Sequence, residues 1–118
     1  MPSISRALHD FLAGADLTVE DALTRHVTDD YRQSTDGQWI DRAQFAAQLT
    51  QLRGFVQSVD IEVKSELTQG SSYAERHVIT VTGRDGSTGR QEVYLFGELA
   101  SDGRFAWLEE LTRSLPAA

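Results

Sequence analysis

Cysteine is absent from the chain. That removes disulfides, thiolate nucleophiles and thiolate metal sites from consideration. It also fits a reducing compartment, so a cytoplasmic protein is the expectation. No stretch approaches the ~20 apolar residues of a membrane span. Arg6, His9 and Asp10 interrupt the apolar run that a secretory leader would need. Basic residues are in the minority: 11 Lys and Arg against 18 Asp and Glu, for a formal net charge of −7. A phosphate backbone or an anionic membrane needs a basic patch, and here the basic residues are scattered. Neither nucleic acid nor membrane is expected as a partner. Three histidines without cysteine show no ligand spacing of a known type, so no metal site is expected. The glycine-bearing stretch 83–89 joins two strand-like runs, whereas a phosphate loop must lead into a helix N-terminus. No Gly-x-Ser-x-Gly elbow occurs.

What is present is a 118-residue chain, 40% hydrophobic and 25% charged, as in an ordinary globular protein. Without a linker, repeat or low-complexity segment, residues 1–118 read as one domain. Helical patterns come first. Ser3 is placed to cap a helix whose Ile4, Ala7, Leu8, Phe11 and Leu12 share one face, with Gly14 ending it. Thr18 and Asp21 resemble a capping box ahead of a short second helix with Val19, Ala22, Leu23, His26 and Val27 on its stripe. Tyr31 to Thr35 reads as extended, and Asp36-Gly37 as a turn. Asp41 and Gln44 form a capping box for a third helix, with Phe45, Leu49, Leu52 and Val56 as its buried face.

From Ser58 the apolar period changes to two. Val59, Ile61, Val63 and Leu67 point one way, and acidic residues and Lys64 the other. A second strand from Tyr73 to Thr82 is rich in β-branched residues. Residues 90–113 then read as a long hairpin about Asp102-Gly103. In that register Phe96 faces Glu109, Tyr94 faces Leu111 and Glu98 faces Trp107. One face carries Tyr94, Phe96, Glu98, Phe105, Trp107, Glu109 and Leu111; the other is mostly aliphatic, with Val93, Leu95, Leu99, Leu108 and Glu110. Residues 114–118 read as a tail. Helices followed by hairpin-linked strands predict an α+β fold, with three N-terminal helices on a curved, mainly antiparallel sheet of four to six strands. The last strands are apolar on both faces, and the chain has no spare element to cover the second. A homodimer through the sheet is therefore expected.

Three patterns carry a family resemblance. They are Asp30-Tyr31-Arg32-Gln33 with Asp36-Gly37-Gln38-Trp39-Ile40 before the capped helix; Glu75-Arg76-His77-Val78-Ile79-Thr80-Val81; and Asp102-Gly103-Arg104-Phe105 leading the last strand. With the helices-then-strands order they resemble the nuclear transport factor 2-like superfamily, the cone-like α+β barrel of ketosteroid isomerases, scytalone dehydratase and SnoaL-like polyketide cyclases. The resemblance implies a small-molecule cavity and proton-transfer chemistry without a cofactor. It departs from ketosteroid isomerase in lacking an alignable base with a tyrosine and acid pair. It departs from scytalone dehydratase in having no second histidine after His77.

If Asp85-Gly86-Ser87 centres the loop before the hairpin, His77 lies opposite Phe96. Tyr73, Glu75 and His77 then join Tyr94, Phe96, Trp107 and Glu109 on one side of the sheet. Two readings of that side are open. It can line a pocket for a small apolar, oxygen-bearing molecule, with His77 moving a proton and Glu109 or Glu75 supporting the imidazole. It can equally be a dimer contact, where aromatic residues are also enriched. Tyr31 is placed to hydrogen-bond a substrate carbonyl or to serve as a core tyrosine. Trp39 and Phe45 are placed to close one end of a cavity or to fill the core. The functional expectation is a small-molecule isomerase, cyclase or dehydratase, against a non-catalytic interaction or ligand-sensing domain.

Overall fold

A computed structural model describes residues 3–14 and 16–116. Its elements run α1 (Ile4–Ala13), α2 (Val19–His26), β1 (Val27–Thr35), β2 (Gln38–Asp41), α3 (Arg42–Phe55), β3 (Val56–Gln69), β4 (Ser72–Gly83), β5 (Thr88–Leu99) and β6 (Phe105–Leu115). Each helix begins where a short polar side chain takes an otherwise orphaned amide. Ser3, Thr18 and Asp41 accept from the N–H groups of Arg6, Asp21 and Gln44. Only at Asp41 is the bond returned, by the Gln44 side chain, completing a capping box.

The end of α1 is closed by a device with no local signature. The Arg53 guanidinium, from α3, donates to three carbonyls: Nε to Phe11 at 2.7 Å, Nη1 to Leu17 at 2.5 Å and Nη2 to Asp10 at 2.7 Å. It thus ties α3 to the end of α1 and to the following turn. Beneath it, Phe11 meets Phe45 edge-on at 5.4 Å, and Ile4, Ala7, Leu23 and Leu49 complete the apolar contact with the sheet. Each of these Ile, Leu and Phe side chains stabilises the fold by roughly 1.5–3 kcal/mol through burial. Leu52, expected on the buried face of α3, is 42% exposed.

The sheet is open and six-stranded, in the order β2-β1-β6-β5-β4-β3. Four of its pairings are antiparallel, but β1 runs parallel to β6. β2 exists because Asp36 (φ 51°) and Gly37 (φ 88°) make a two-residue turn that returns the chain onto β1. β6 extends through Ser114 and Leu115, so the expected tail is shorter; residues 117–118 lie outside the described residues. Among the described residues no helix is long and apolar enough to cross a membrane.

The final hairpin has the expected central register: Phe96 opposite Glu109, Tyr94 opposite Leu111 and Glu98 opposite Trp107. Its tip differs. Ala100 pairs with Arg104 around a three-residue loop ending in Gly103 (φ 88°), and a bulge at Ala106 restores the register. That bulge turns Phe105 to the opposite face from Trp107, where it is buried edge-on against Tyr73 at 5.1 Å.

The β4–β5 pairing corrects the expectation. Gly83 pairs with Ser87 around Arg84-Asp85-Gly86, with Gly86 at φ 85°. His77 is therefore opposite Val93 rather than Phe96, and Arg76 is opposite Tyr94. A displacement of three residues is odd, so it exchanges the faces. A further bulge between Val63 and Ser65 turns Leu67 outward, 65% exposed, and Glu66 inward.

The Arg53 contacts predict that Arg53→Met lowers unfolding free energy by about 3 kcal/mol, since hydrogen bonds from a charged donor contribute about 1.5–3 kcal/mol each and are not additive. The measurement is the urea midpoint at unchanged slope. A midpoint equal to wild type would show that the three contacts add nothing.

Candidate functional site

Residues paired across a sheet share a face. The helix-covered inner face therefore carries Tyr73, Glu75 and His77 from β4, Val93, Leu95 and Gly97 from β5, and Leu108 and Glu110 from β6. Tyr31, Gln33 and Thr35 of β1 join them through the pairing of Gln33 with Leu108 and Thr35 with Glu110. Gly97 is needed here: a Cβ on it would lie 2.4 Å from a Leu108 methyl.

Most of this face is apolar, and its polar groups are linked. His77 Nδ1 lies 2.5 Å from Glu75 Oε1, with the two side chains 2% and 0% exposed. An ionised carboxylate can only accept, so Nδ1 carries a proton and Nε2 is the ring nitrogen left for other chemistry. Among the described residues Nε2 has no hydrogen-bond partner. The Tyr73 hydroxyl lies 3.2 Å from Glu75 Oε2 and donates to Glu66 in a short contact. Tyr31, buried against Phe45, donates to Gln33 at 2.8 Å. Burial holds both phenols well above their ordinary ionisation range; at Tyr31 the Glu110 charge adds to this, at Tyr73 the Glu66 bond does. Glu110 accepts from the Thr35 hydroxyl at 2.8 Å. Burial raises its pKa, against the opposing effect of the Thr35 bond.

The outer face holds the rest of the expected site. Tyr94, Phe96, Trp107 and Glu109 all point there, away from His77 and Glu75. Phe96 and Trp107 rings pack at 6.3 Å, and the Arg32 guanidinium sits 4.6 Å above the Trp39 ring. Ser34, Trp39, Tyr94, Phe96, Glu109 and Leu111 line an open groove of about 440 Å³. Trp39 is 45% exposed in this groove and closes no inner cavity. Phe45 lies on the inner side, within the core. The expected constellation is thus divided: His77, Glu75, Tyr31 and Phe45 inside, Tyr94, Phe96, Trp107, Glu109 and Trp39 outside.

No family model matches the chain. An uncharacterised protein of Schizosaccharomyces pombe is 30% identical over 103 residues, spanning 86% of this chain and 78% of that protein. A nuclear transport factor 2-like protein of unknown function from Exiguobacterium sp. 255-15 has a TM-score of 0.73 at 18% identity, covering 93% of this chain and 97% of its own. The chain has the nuclear transport factor 2-like fold. A proposed SnoaL-like polyketide cyclase from Jannaschia sp. CCS1 has a TM-score of 0.66 at 16% identity over 92% of this chain and 83% of its own. An LEH-like epoxide hydrolase from M. tuberculosis has a TM-score of 0.67 at 19% identity over 92% and 80%. At such identities the solved structures share the fold.

Within this fold, Glu110 is the inner carboxylate of β6 that stands where Glu109 was expected. Its signal was present in the sequence, as a lone acid on the aliphatic face beside Leu95 and Leu108. Tyr73 shares its face with Glu75 and His77 by alternation along β4, whereas Glu66 had no signal, because a bulge orients it.

For Glu110 the sign of the pH effect follows from the raised pKa. A carboxylate held above its ordinary 4.5 in the folded state costs stability once ionised, most fully above the folded pKa and not at all below 4.5. Glu110→Gln should therefore raise the Tm at pH 7, with the gain shrinking as pH falls toward 4.5. Thermal melts of both proteins across that range check it; a gain that is the same at every pH would exclude the burial cost as its source.

Proposed function

We propose that the protein binds a small apolar, oxygen-bearing molecule and moves a proton on it, as an isomerase, cyclase or dehydratase that uses no cofactor. The observation that carries this reading is His77, whose Nδ1 is held by buried Glu75 while Nε2 is left without a partner among the described residues. Such a ring is a general base with its tautomer set. Glu75 stabilises the imidazolium that forms when Nε2 takes a proton. The Tyr31 hydroxyl, released from Gln33, is the donor for a substrate carbonyl or enolate. The apolar walls from Phe45, Val93, Leu95 and Leu108 suit a mostly hydrocarbon ligand and strengthen the electrostatics within. His77 is 1% exposed, so binding includes a parting of helices and sheet. The fold shared with a proposed polyketide cyclase and an epoxide hydrolase supports a small-molecule role.

The test screens steroid-like and polyketide-like ketones by thermal shift, then incubates any stabilising ligand in D2O. Wild type should exchange the acidic C–H of the ligand about 100-fold faster than His77→Gln, the usual scale of one positioned base. Equal exchange by the two proteins would remove His77 from the chemistry.

A second reading, a non-catalytic dimeric interaction or sensing domain, has its own observation. Tyr94, Phe96 and Leu111 are 49%, 51% and 65% exposed on one continuous outer face. A second copy of the chain is the proposed cover, since the helices all lie on the other side. Sedimentation should then give a dimer, converted to monomer by Phe96→Arg at full secondary structure. A monomeric wild type at ~50 μM, well above the dissociation constants of stable interfaces, would defeat the dimer.

A further inference from the structure

We propose that Tyr73 and Glu66 form a proton conduit between the buried Glu75–His77 pair and solvent at the free β3 edge. It deepens the general-base reading of His77 and rests on it for its purpose, though not for its test. A base with its side chain 2% exposed needs a route by which its proton leaves, and the geometry supplies one continuous path. Glu75 is bidentate, with Oε1 on His77 Nδ1 at 2.5 Å and Oε2 3.2 Å from the Tyr73 hydroxyl. That hydroxyl donates in turn to Glu66, an exposed residue of edge strand β3 that lines an open groove of about 520 Å³. Alternation along β3 alone would put Ser65 and Leu67 inside; the bulge at Lys64 brings in Glu66 instead. The carboxylate is thus placed by a backbone irregularity, a device common beside functional sites.

One phenol proton faces two carboxylates, Glu66 and Glu75, and can serve only one at a time. The transfer uses this shortage. Imidazolium gives its Nδ1 proton to Glu75 Oε1, and a half-turn of the carboxyl group presents that proton to Tyr73. The phenol oxygen takes it while passing its own hydrogen to Glu66, which releases it to water. Hydronium and the Nε2–H tautomer of the ring result; the reverse path then returns a proton to Nδ1 as Nε2 gives its own back to the ligand, so that the ring, the phenol and both carboxylates regain their initial states. Burial disfavours a free phenolate, so the two phenol transfers occur together. The Ile4 amide, at the positive end of α1 and 3.4 Å from the phenol oxygen, steadies the charge that develops there. The charged and titratable groups facing the path are Glu66 from β3, Glu75 and His77 from β4 and Glu110 from β6; α1 contributes the Ile4 amide and β6 the Phe105 ring.

The experiment measures exchange of the His77 Nδ1 proton with water by NMR in the ¹⁵N-labelled full chain. Wild type is compared with Glu66→Gln and Tyr73→Phe. Both variants should slow exchange about tenfold, as when one step of a path gains a 1.4 kcal/mol barrier. The amide exchange of β4 serves as a control for local opening and should stay unchanged. Glu66→Gln alters an exposed edge residue, so it decides the matter even where Tyr73→Phe fails to fold. Unchanged ring exchange in Glu66→Gln would overturn the conduit while leaving His77 available as a base. Slowed ring exchange together with undiminished ligand exchange by His77→Gln would keep the conduit and remove the catalytic role.

Discussion

A β-strand offers its neighbours only two arrangements of side chains, and a turn residue decides between them. Here the deciding residue is Gly86, whose positive φ closes a three-residue loop and sets β5 against β4. That parity sends Tyr73, Glu75 and His77 under the helices and leaves Arg76 and Tyr94 outside. The opposite parity would push the Arg76 guanidinium into the core and expose an imidazole and carboxylate that now hold each other. Burying an unpaired guanidinium costs several kcal/mol, so the helices reinforce what the loop selects.

The inner face that results is a compromise. Glu75, His77, Glu110, Tyr31 and Tyr73 occupy space that aliphatic side chains fill more favourably, and each is retained by a specific partner. Polar networks of this kind are stable only while nearly complete. Stability comes from elsewhere: the Phe11–Phe45 contact, the Asp41 capping box and the Arg53 clasp. Asp10 adds a smaller share. Burial alone would raise its carboxyl, yet the His26 bond at 2.6 Å and the Arg25 charge hold it below the ordinary aspartate value. This division, with rigid apolar packing at one end and costly polar groups at the other, is what a site built into a fold requires.

Local chemistry was legible in the sequence to the extent that it was local. Caps at Ser3, Thr18 and Asp41 announce themselves within four residues, and the alternation through Tyr94, Phe96, Trp107 and Glu109 is long enough to survive an error at the tip. The bulges at Lys64 and Ala106 leave no mark, because any residue accepts them. The loop at Gly86 fits several registers on composition alone, so the one that its positive φ selects is not announced in the sequence. His77, Glu75 and Tyr31 were therefore identifiable as chemistry, while their company was not. The parallel β1–β6 contact joins residues about 75 positions apart, beyond the reach of periodicity.

That same contact has a consequence for how the protein is made. β1 leaves the ribosome well before β6, yet β6 is its main neighbour in the sheet. Until β6 appears, β1 and β2 are a two-stranded ribbon whose β1 edge lacks its partner, and such ribbons are marginal in water. Synthesis at about 5–20 residues per second leaves that edge open for several seconds. During this interval α2 and α3, which flank the ribbon in sequence, are the segments able to shield it. The polar Thr28, Asp29 and Asp30 at the start of β1 also discourage pairing with a neighbouring nascent chain.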